Sequence, residues 1–178
     1  MCQIDENGIF YLDVYYPPFN KWFGIPYYYL FKDRKEILKL NERAPEIINY
    51  FANKIIKEFD FFFKKNDTGI AVVPPTDPQK RDSGIKDIAI YIANFLSIVD
   101  GTNCLNRIKR IQKHVNGRSI TIIDSTLVEG KSYLLLDDVT ISGNSLLACK
   151  EVLETAGAKE VICVALMKDF LIPLFYHI

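Results

Sequence analysis

The sequence predicts one α/β domain, an open and mostly parallel sheet with helices on both faces, preceded by an N-terminal hairpin-and-helix appendage. Three observations lead there. A chain of 178 residues suits a single core. From residue 69 onward, short apolar runs alternate with stretches of helical period, the pattern of a sheet covered on both faces. And 17 of the 23 aromatic residues fall within residues 1–63, which sets that third apart from the rest.

The elements follow in order. Residues 9–16 (IFYLDVYY) and 26–32 (PYYYLFK) are rich in strand formers, and Pro17-Pro18 with the loop around Gly24 separates them, so a two-stranded unit is expected. Over 45–63, Ile48, Phe51, Ile55, Phe59 and Phe62 recur at three- and four-residue spacing on one helix face, with Pro45 in the first turn, where its missing N–H costs nothing. Packing between hairpin and helix explains the aromatic crowding better than a base-stacking surface does. GIAVVPP (69–75) reads as a buried strand stopped by proline. Ser83 is positioned to cap a helix bearing Ile85, Ile88, Ile92 and Leu96 on one face. SITIID (119–124) and YLLLDD (133–138) are further strands. A helix from Asn144 to Ala156 ends at Gly157, and VICVALM (161–167) closes the series. The domain divides into an appendage or hood over 1–63, a core over 64–169 and an apolar tail, FLIPLFYHI, over 170–178. That tail is expected to pack on the domain or on a second copy in a homodimer.

Composition narrows the function. Lys and Arg number 22, as do Asp and Glu, so the surface as a whole is not a nucleic-acid binder. No run approaches the ~18 apolar residues of a membrane span. The start, MCQIDENGIF, carries acids where a signal peptide is basic, so a cytoplasmic location is expected. Cys2, Cys104, Cys149 and Cys163 form no C-x-x-C pair and read as reduced thiols, Cys149 and Cys163 as core residues.

The chemistry lies in residues 133–169. A buried strand delivers adjacent carboxylates, Asp137 and Asp138, at its carboxyl end, where ligands bind in open α/β sheets. The loop VTISGNS then enters a helix directly. Ser142, Gly143, Asn144 and Ser145 offer hydroxyls, small side chains and backbone N–H groups at a helix N-terminus, a setting that binds phosphate. Two carboxylates beside it suit ribose hydroxyls or a hydrated metal. Anion cradle and acid pair together indicate a sugar phosphate.

DDVTISGNS resembles the phosphoribosyl-pyrophosphate (PRPP) motif of the type I phosphoribosyltransferases: two acids, two aliphatics, then T-T-G-x-T/S. The preceding strand and the following Ala156, Gly157, Ala158 and Val161 match as well. Among the branches, the chain is most similar to the competence-protein ComF-like group, with Tyr29 and Lys32, Val73-Pro74-Pro75 and Arg107 to Gln112 loosely in the places of that group's other segments. The resemblance spans about residues 26–169, and only the PRPP motif within it is specific. It implies that Asp137 and Asp138 hold the ribose hydroxyls, that Thr140, Ile141, Ser142, Gly143, Asn144 and Ser145 hold the 5′-phosphate, and that Mg²⁺ arrives with PRPP near the acid pair. It further implies that Pro75, Thr76 and Asp77, with Lys80 and Arg81 nearby, form a pyrophosphate loop. Residues 102–123 contain Arg107, Lys109, Arg110, Lys113 and Arg118 and no acid. By resemblance they form the mobile loop that closes over pyrophosphate. Two departures stand out. Ile141 takes the place of a loop hydroxyl and of the acidic base of purine-salvage members, which argues against 6-oxopurine salvage, and the ComF-like zinc ribbon is missing.

Competing readings are weaker. Gly130-Lys131-Ser132 is half a nucleotide-binding P-loop, but Ser125 stands at its first glycine position and a strand follows. His114 reads as a surface histidine and His177 lies in the apolar tail. Asp169 either faces a base pocket or caps a turn. Trp22 and Tyr27-Tyr28-Tyr29 fit packing better than a hood over the acceptor. The sequence thus predicts a phosphoribosyltransferase that joins PRPP to an unidentified, nitrogen-bearing acceptor and releases pyrophosphate. The alternative is a non-catalytic protein on the same fold that senses PRPP or a nucleotide, or serves DNA uptake.

Overall fold

A computed structural model describes residues 1–15, 44–75, 84–107 and 120–169 of the chain. The sheet has six strands in the order β1-β2-β8-β7-β3-β4. They are β1 (Gln3–Ile4), β2 (Phe10–Tyr15), β3 (Thr68–Val72), β4 (Val99–Asp100), β7 (Ser132–Thr140) and β8 (Glu160–Asp169). Every pairing is parallel except β1 with β2. The helices are α1 (Ala44–Glu58), α2 (Asp60–Phe63), α3 (Gly84–Leu96) and α4 (Asn144–Thr155). This is the predicted fold class, a mostly parallel sheet covered by helices.

Strand alternation divides the core into two layers. Ile70, Val72, Leu134, Leu136, Val164 and Leu166 face α1 and α3, where they meet Phe51, Ile55, Ile88 and Ile92. Ala71, Val73, Tyr133, Leu135, Cys163 and Ala165 face the other way, toward Leu146, Cys149 and Leu153 of α4. The middles of the central strands, 69–72, 133–136 and 161–167, are therefore without a polar side chain other than Tyr133, as a sheet buried on both faces requires. Cys149 and Cys163 are buried thiols, and burial pushes Cys163 up to about 11. Phe51, Phe59 and Phe62 are buried, and Phe10 meets Phe59 edge-on at 5.4 Å between ring centroids. No described helix is long and apolar enough to cross a membrane.

Two expectations change. Residues 10–15 are not one arm of a separate hairpin. They form β2, inside the main sheet and parallel to β8 with Tyr11 opposite Ala165, while the antiparallel partner is the two-residue β1. The expected second arm, 26–32, lies outside the described residues, as do Trp22, the Ser83 cap, His114 and the tail 170–178. The strand expected over 119–124 does not join the parallel series either. Residues Ile120–Ile122 (β6) pair antiparallel with Leu105–Arg107 (β5) in a separate two-stranded sheet. The reason is chain length: a parallel neighbour needs a crossover of about a dozen residues or more, and only the short turn around Ser125–Leu127 lies between β6 and β7.

The N-terminal turn is pinned to β8 by an ion pair. Lys168 Nζ lies 2.8 Å from Asp5 Oδ2, and Asp5 Oδ1 accepts the N–H groups of Asn7 and Ile9. Burial pushes the Asp5 carboxyl up, but Lys168 and the two N–H donors outweigh it and hold the group below its ordinary range.

Candidate functional site

The site is built at the carboxyl end of β7. Residues 132–136 are buried, 137–139 are half-buried and Thr140 is buried again, so the strand emerges from the core just where its acids begin. The Asp138 N–H donates to Asp137 Oδ1 at 2.9 Å, and the Val139 N–H donates to Asp138 Oδ1 at 2.7 Å. Desolvation is the main force on Asp137 and raises its carboxyl well above the ordinary range. The charge and carboxyl of Asp138 push the same way, while the Asp138 N–H and the positive charge of Arg107 pull back.

After Thr140 the chain turns through exposed Ile141 and Ser142 to Gly143, which precedes α4 with φ of +74° and makes no side-chain cap. Glycine suits this corner for two reasons. The backbone is left-handed, and an added Cβ would overlap Ile9 Cδ1. The helix then starts at Asn144 with its first N–H groups turned back to the strand end. Asp137, Val139, Thr140, Ile141, Ser142, Gly143, Asn144 and Ser145 line a cavity of about 190 Å³ here. Every residue expected at the phosphate loop is in that lining, as is Asp137; Asp138 is not. A larger hollow of about 430 Å³ runs between β6 and α4, but its walls are chiefly Ile120, Ile122, Ala148, Val152 and Ala156. It has no acid pair and no helix N-terminus, so chemistry favours the smaller cavity.

The residues expected around pyrophosphate separate into two groups. Thr76, Asp77, Lys80, Arg81, Lys109 and Arg110 lie outside the described residues. Pro75 and Arg107 are described, and Arg107 is a buried strand residue rather than part of an open loop. It is the last residue of β5 and only 2% exposed. Its Nε donates to the Pro75 carbonyl at 3.1 Å and an Nη to the Pro74 carbonyl at 3.4 Å. Burial lowers its pKa, and Asp137 counters that. The guanidinium thus ties the two-stranded sheet to the end of β3 beside the acid pair. Sequence reading missed this because the side chain sits among basic neighbours along the chain, while its burial comes from strands distant in sequence.

Asp169 ends β8, and its buried Oδ1 meets no hydrogen-bond partner among the described residues. Among the described residues, no group of three or more His, Cys, Asp and Glu side chains is arranged to hold a metal ion. A hard, hydrated cation shared between one or two carboxylates and ligand oxygens needs no such group, so the donor chemistry of Asp137 and Asp138 fits Mg²⁺ delivered by a ligand.

Comparison with known proteins adds the following. A family model described as the phosphoribosyl transferase domain matches residues 84–169, somewhat under half of the chain. No curated protein sequence matches. Among solved structures, an adenine phosphoribosyltransferase is similar at a TM-score of 0.51 and 16% identity, over 78% of this chain and 76% of that one. The adenine phosphoribosyltransferase of Thermoanaerobacter pseudethanolicus ATCC 33223 is similar at 0.46 and 13%, over 70% and 81%. The phosphoribosylpyrophosphate synthetase of Mycobacterium smegmatis is similar at 0.37 and 18%, over 71% of this chain; the chain spans only 33% of that one. The matched residues 84–169 include the whole of β7, the loop after it, α4 and β8, and the chain has the α/β fold of the type I phosphoribosyltransferases.

Proposed function

We propose that the protein binds PRPP at residues 137–145 and transfers its phosphoribosyl group to a nitrogen acceptor, with release of pyrophosphate. One observation carries this reading: a strand ending in two acids turns through a left-handed glycine into a helix N-terminus and encloses a cavity lined by that loop. A helix start supplies convergent N–H donors and a positive dipole end, the environment of a phosphate dianion. Backbone amides over 141–145 and the hydroxyls of Thr140, Ser142 and Ser145 hold the 5′-phosphate; Ile141 contributes its amide alone. Asp137 and Asp138 accept hydrogen bonds from the ribose hydroxyls, and this fixes C1 at the cavity mouth.

Transfer then proceeds by cleavage of the C1–oxygen bond, pyrophosphate leaving with the electron pair as the acceptor lone pair closes on C1. Positive charge develops on the ribose and negative charge on the leaving group. Mg²⁺, bound with PRPP near Asp137 and Asp138, would supply charge neutralisation for the pyrophosphate. Pro75, Thr76, Asp77, Lys80, Arg81, Lys109 and Arg110 are assigned to the pyrophosphate side, and Arg107 holds the Pro74 and Pro75 carbonyls. Within the fold we favour the ComF-like branch, a cytoplasmic setting and a homodimer, on the sequence resemblance.

Calorimetry with PRPP and Mg²⁺ tests the reading, followed by pyrophosphate release over a panel of bases and amines. Binding that is lost in Asp138→Asn, with pyrophosphate released only when an acceptor is present, is the expected result. Absence of PRPP binding would sink the sugar-phosphate site. Binding without turnover would favour the sensing alternative.

A further inference from the structure

The N-terminal turn meets the phosphate loop at two points outside the cavity. At the first, Ile9 is fully buried and its Cδ1 fills the space beside Gly143. At the second, Lys168 leaves β8 opposite Thr140, the buried residue that opens the loop, and its ammonium reaches Asp5 Oδ2 at 2.8 Å. Both points depend on one carboxylate. Asp5 Oδ1 accepts the N–H groups of Asn7 and Ile9 at 2.9 and 3.0 Å, and the Asp5 N–H donates to the Ile9 carbonyl at 3.0 Å. The turn therefore closes around Asp5, which sets where Ile9 lies. Oδ2 is left for Lys168, whose ammonium also lies 3.7 Å from Glu6 and 5.8 Å from the centre of the Tyr11 ring. The Asp5 and Lys168 side chains are only 3% and 11% exposed, whereas the Lys64–Asp60, Lys65–Glu160 and Lys150–Glu154 pairs are open to solvent. Burying two charges costs about as much as their attraction returns, so what such a pair supplies is a fixed geometry.

We propose that Asp5 is a positioning residue for phosphate binding: its turn seats Ile9 against Gly143, its ion pair holds the strand that pairs with Thr140, and together they keep the first N–H groups of α4 converging on one point. The inference rests on the PRPP reading of residues 137–145 and adds to it a group that touches no substrate. A cradle made of backbone N–H groups binds an anion only while those groups converge, and a shift of about an ångström disperses them. The loop does not secure its own corner. Ile141 and Ser142 are exposed, Gly143 makes no side-chain cap, and a glycine backbone has many other conformations open to it. Ile9 and the Asp5–Lys168 pair supply the restraint that the loop's own residues lack. Charge alone predicts the opposite effect. Asp5 is an acid near an anion site, so removing it would strengthen phosphate binding if only its field mattered. As a positioning residue, its removal weakens binding.

The test uses the full chain and calorimetry with ribose 5-phosphate and with PRPP and Mg²⁺. Asp5→Asn keeps an oxygen for the turn and loses the charge facing Lys168, while Ile9→Val removes Cδ1 and leaves every charge in place. Ile88→Val, in the opposite core layer, controls for destabilisation alone. Asp5→Asn should bind both sugar phosphates about tenfold more weakly and Ile9→Val about threefold more weakly, with Ile88→Val unchanged. Hydrogen exchange of the free protein gives a second readout. The Leu147 N–H is bonded to the Gly143 carbonyl at 3.0 Å, and it should exchange about tenfold faster in Asp5→Asn but not in Ile88→Val. Unchanged or stronger sugar-phosphate binding by Asp5→Asn, or unchanged exchange at Leu147, overturns the proposal. Should Asp5→Asn fail to fold, unchanged binding by Ile9→Val does so instead. Failure of the PRPP reading shows in the wild type, as absence of heat with either sugar phosphate, and it removes the role in phosphate binding with it; failure of the proposal alone shows only in the variants.

Discussion

Ile9 occupies the space that a side chain on Gly143 would need. The first buried residue of the N-terminal region thus packs against the corner of the phosphate loop, 134 positions along the chain, because β2 lies beside β8 and the loop after β7 folds back over it. Gly143→Ala meets both a left-handed backbone and this overlap, and should cost about 2–4 kcal/mol. Ile9→Val removes the offending Cδ1 and by itself costs about 1 kcal/mol. In a double-mutant cycle by urea unfolding, Ile9→Val should recover about 1 kcal/mol of the Gly143→Ala loss. Strict additivity would show that the two residues do not touch.

Arg107 is the second long-range tie. Arg107→Met leaves the Pro74 and Pro75 carbonyls without their donor and removes the charge opposing Asp137. Loss of about 3 kcal/mol is expected from chemical denaturation. Arg107→Lys keeps the charge without the planar fork and should recover only part of the loss. A variant as stable as wild type would show that these hydrogen bonds do not support the fold.

Asp137 makes the free protein sensitive to pH, with the following sign. Its carboxyl is raised in the fold above the ordinary 3.8, so the folded state binds the proton more tightly than the unfolded state does. Its contribution is therefore most favourable below about pH 4 and is progressively lost as pH rises through the raised folded value. Asp137→Asn should stabilise the ligand-free protein at pH 7 and flatten this part of the profile, while weakening PRPP binding. Urea midpoints between pH 4 and 8 measure the first effect and calorimetry the second.

The exposed side chain of Ile141 lies in the loop where the resembled motif carries a hydroxyl. Ile141→Thr adds a donor at the cavity rim at little cost to stability, within about 0.5 kcal/mol as for most exposed positions. PRPP affinity should rise by roughly 3- to 10-fold, the value of one neutral hydrogen bond. Weaker binding would mean that the position faces away from the phosphate.

Tyr133 packs where two glycines leave room. A Cβ at Gly69 would lie 2.7 Å from Tyr133 Cε1, and one at Gly101 would lie 2.6 Å from it and 2.9 Å from the Ile70 carbonyl oxygen. Gly101→Ala should cost about 2 kcal/mol, since the backbone on one side cannot yield. Calorimetric unfolding would register this as a lower Tm with PRPP binding retained.

Much of this protein was legible from local pattern. Apolar runs such as 133–136 read as central strands, since they are too short for a helix buried all round and are bounded by turn residues and acids. The acid pair, loop and helix start of 137–145 are contiguous, so strand geometry and a left-handed glycine assemble the cavity with little help from the rest of the fold. What the tertiary structure decided involves partners far apart in sequence. The pairing of β2 with β8 moved residues 10–15 from an appendage into the sheet. The pairing of β5 with β6 drew Ile120–Ile122 out of the parallel series, and the same small sheet buried Arg107, which the run of basic residues along the chain does not reveal. Sequence patterning carries the information that depends on nearest neighbours, whereas burial and hydrogen-bond satisfaction depend on every element that reaches the same point in space.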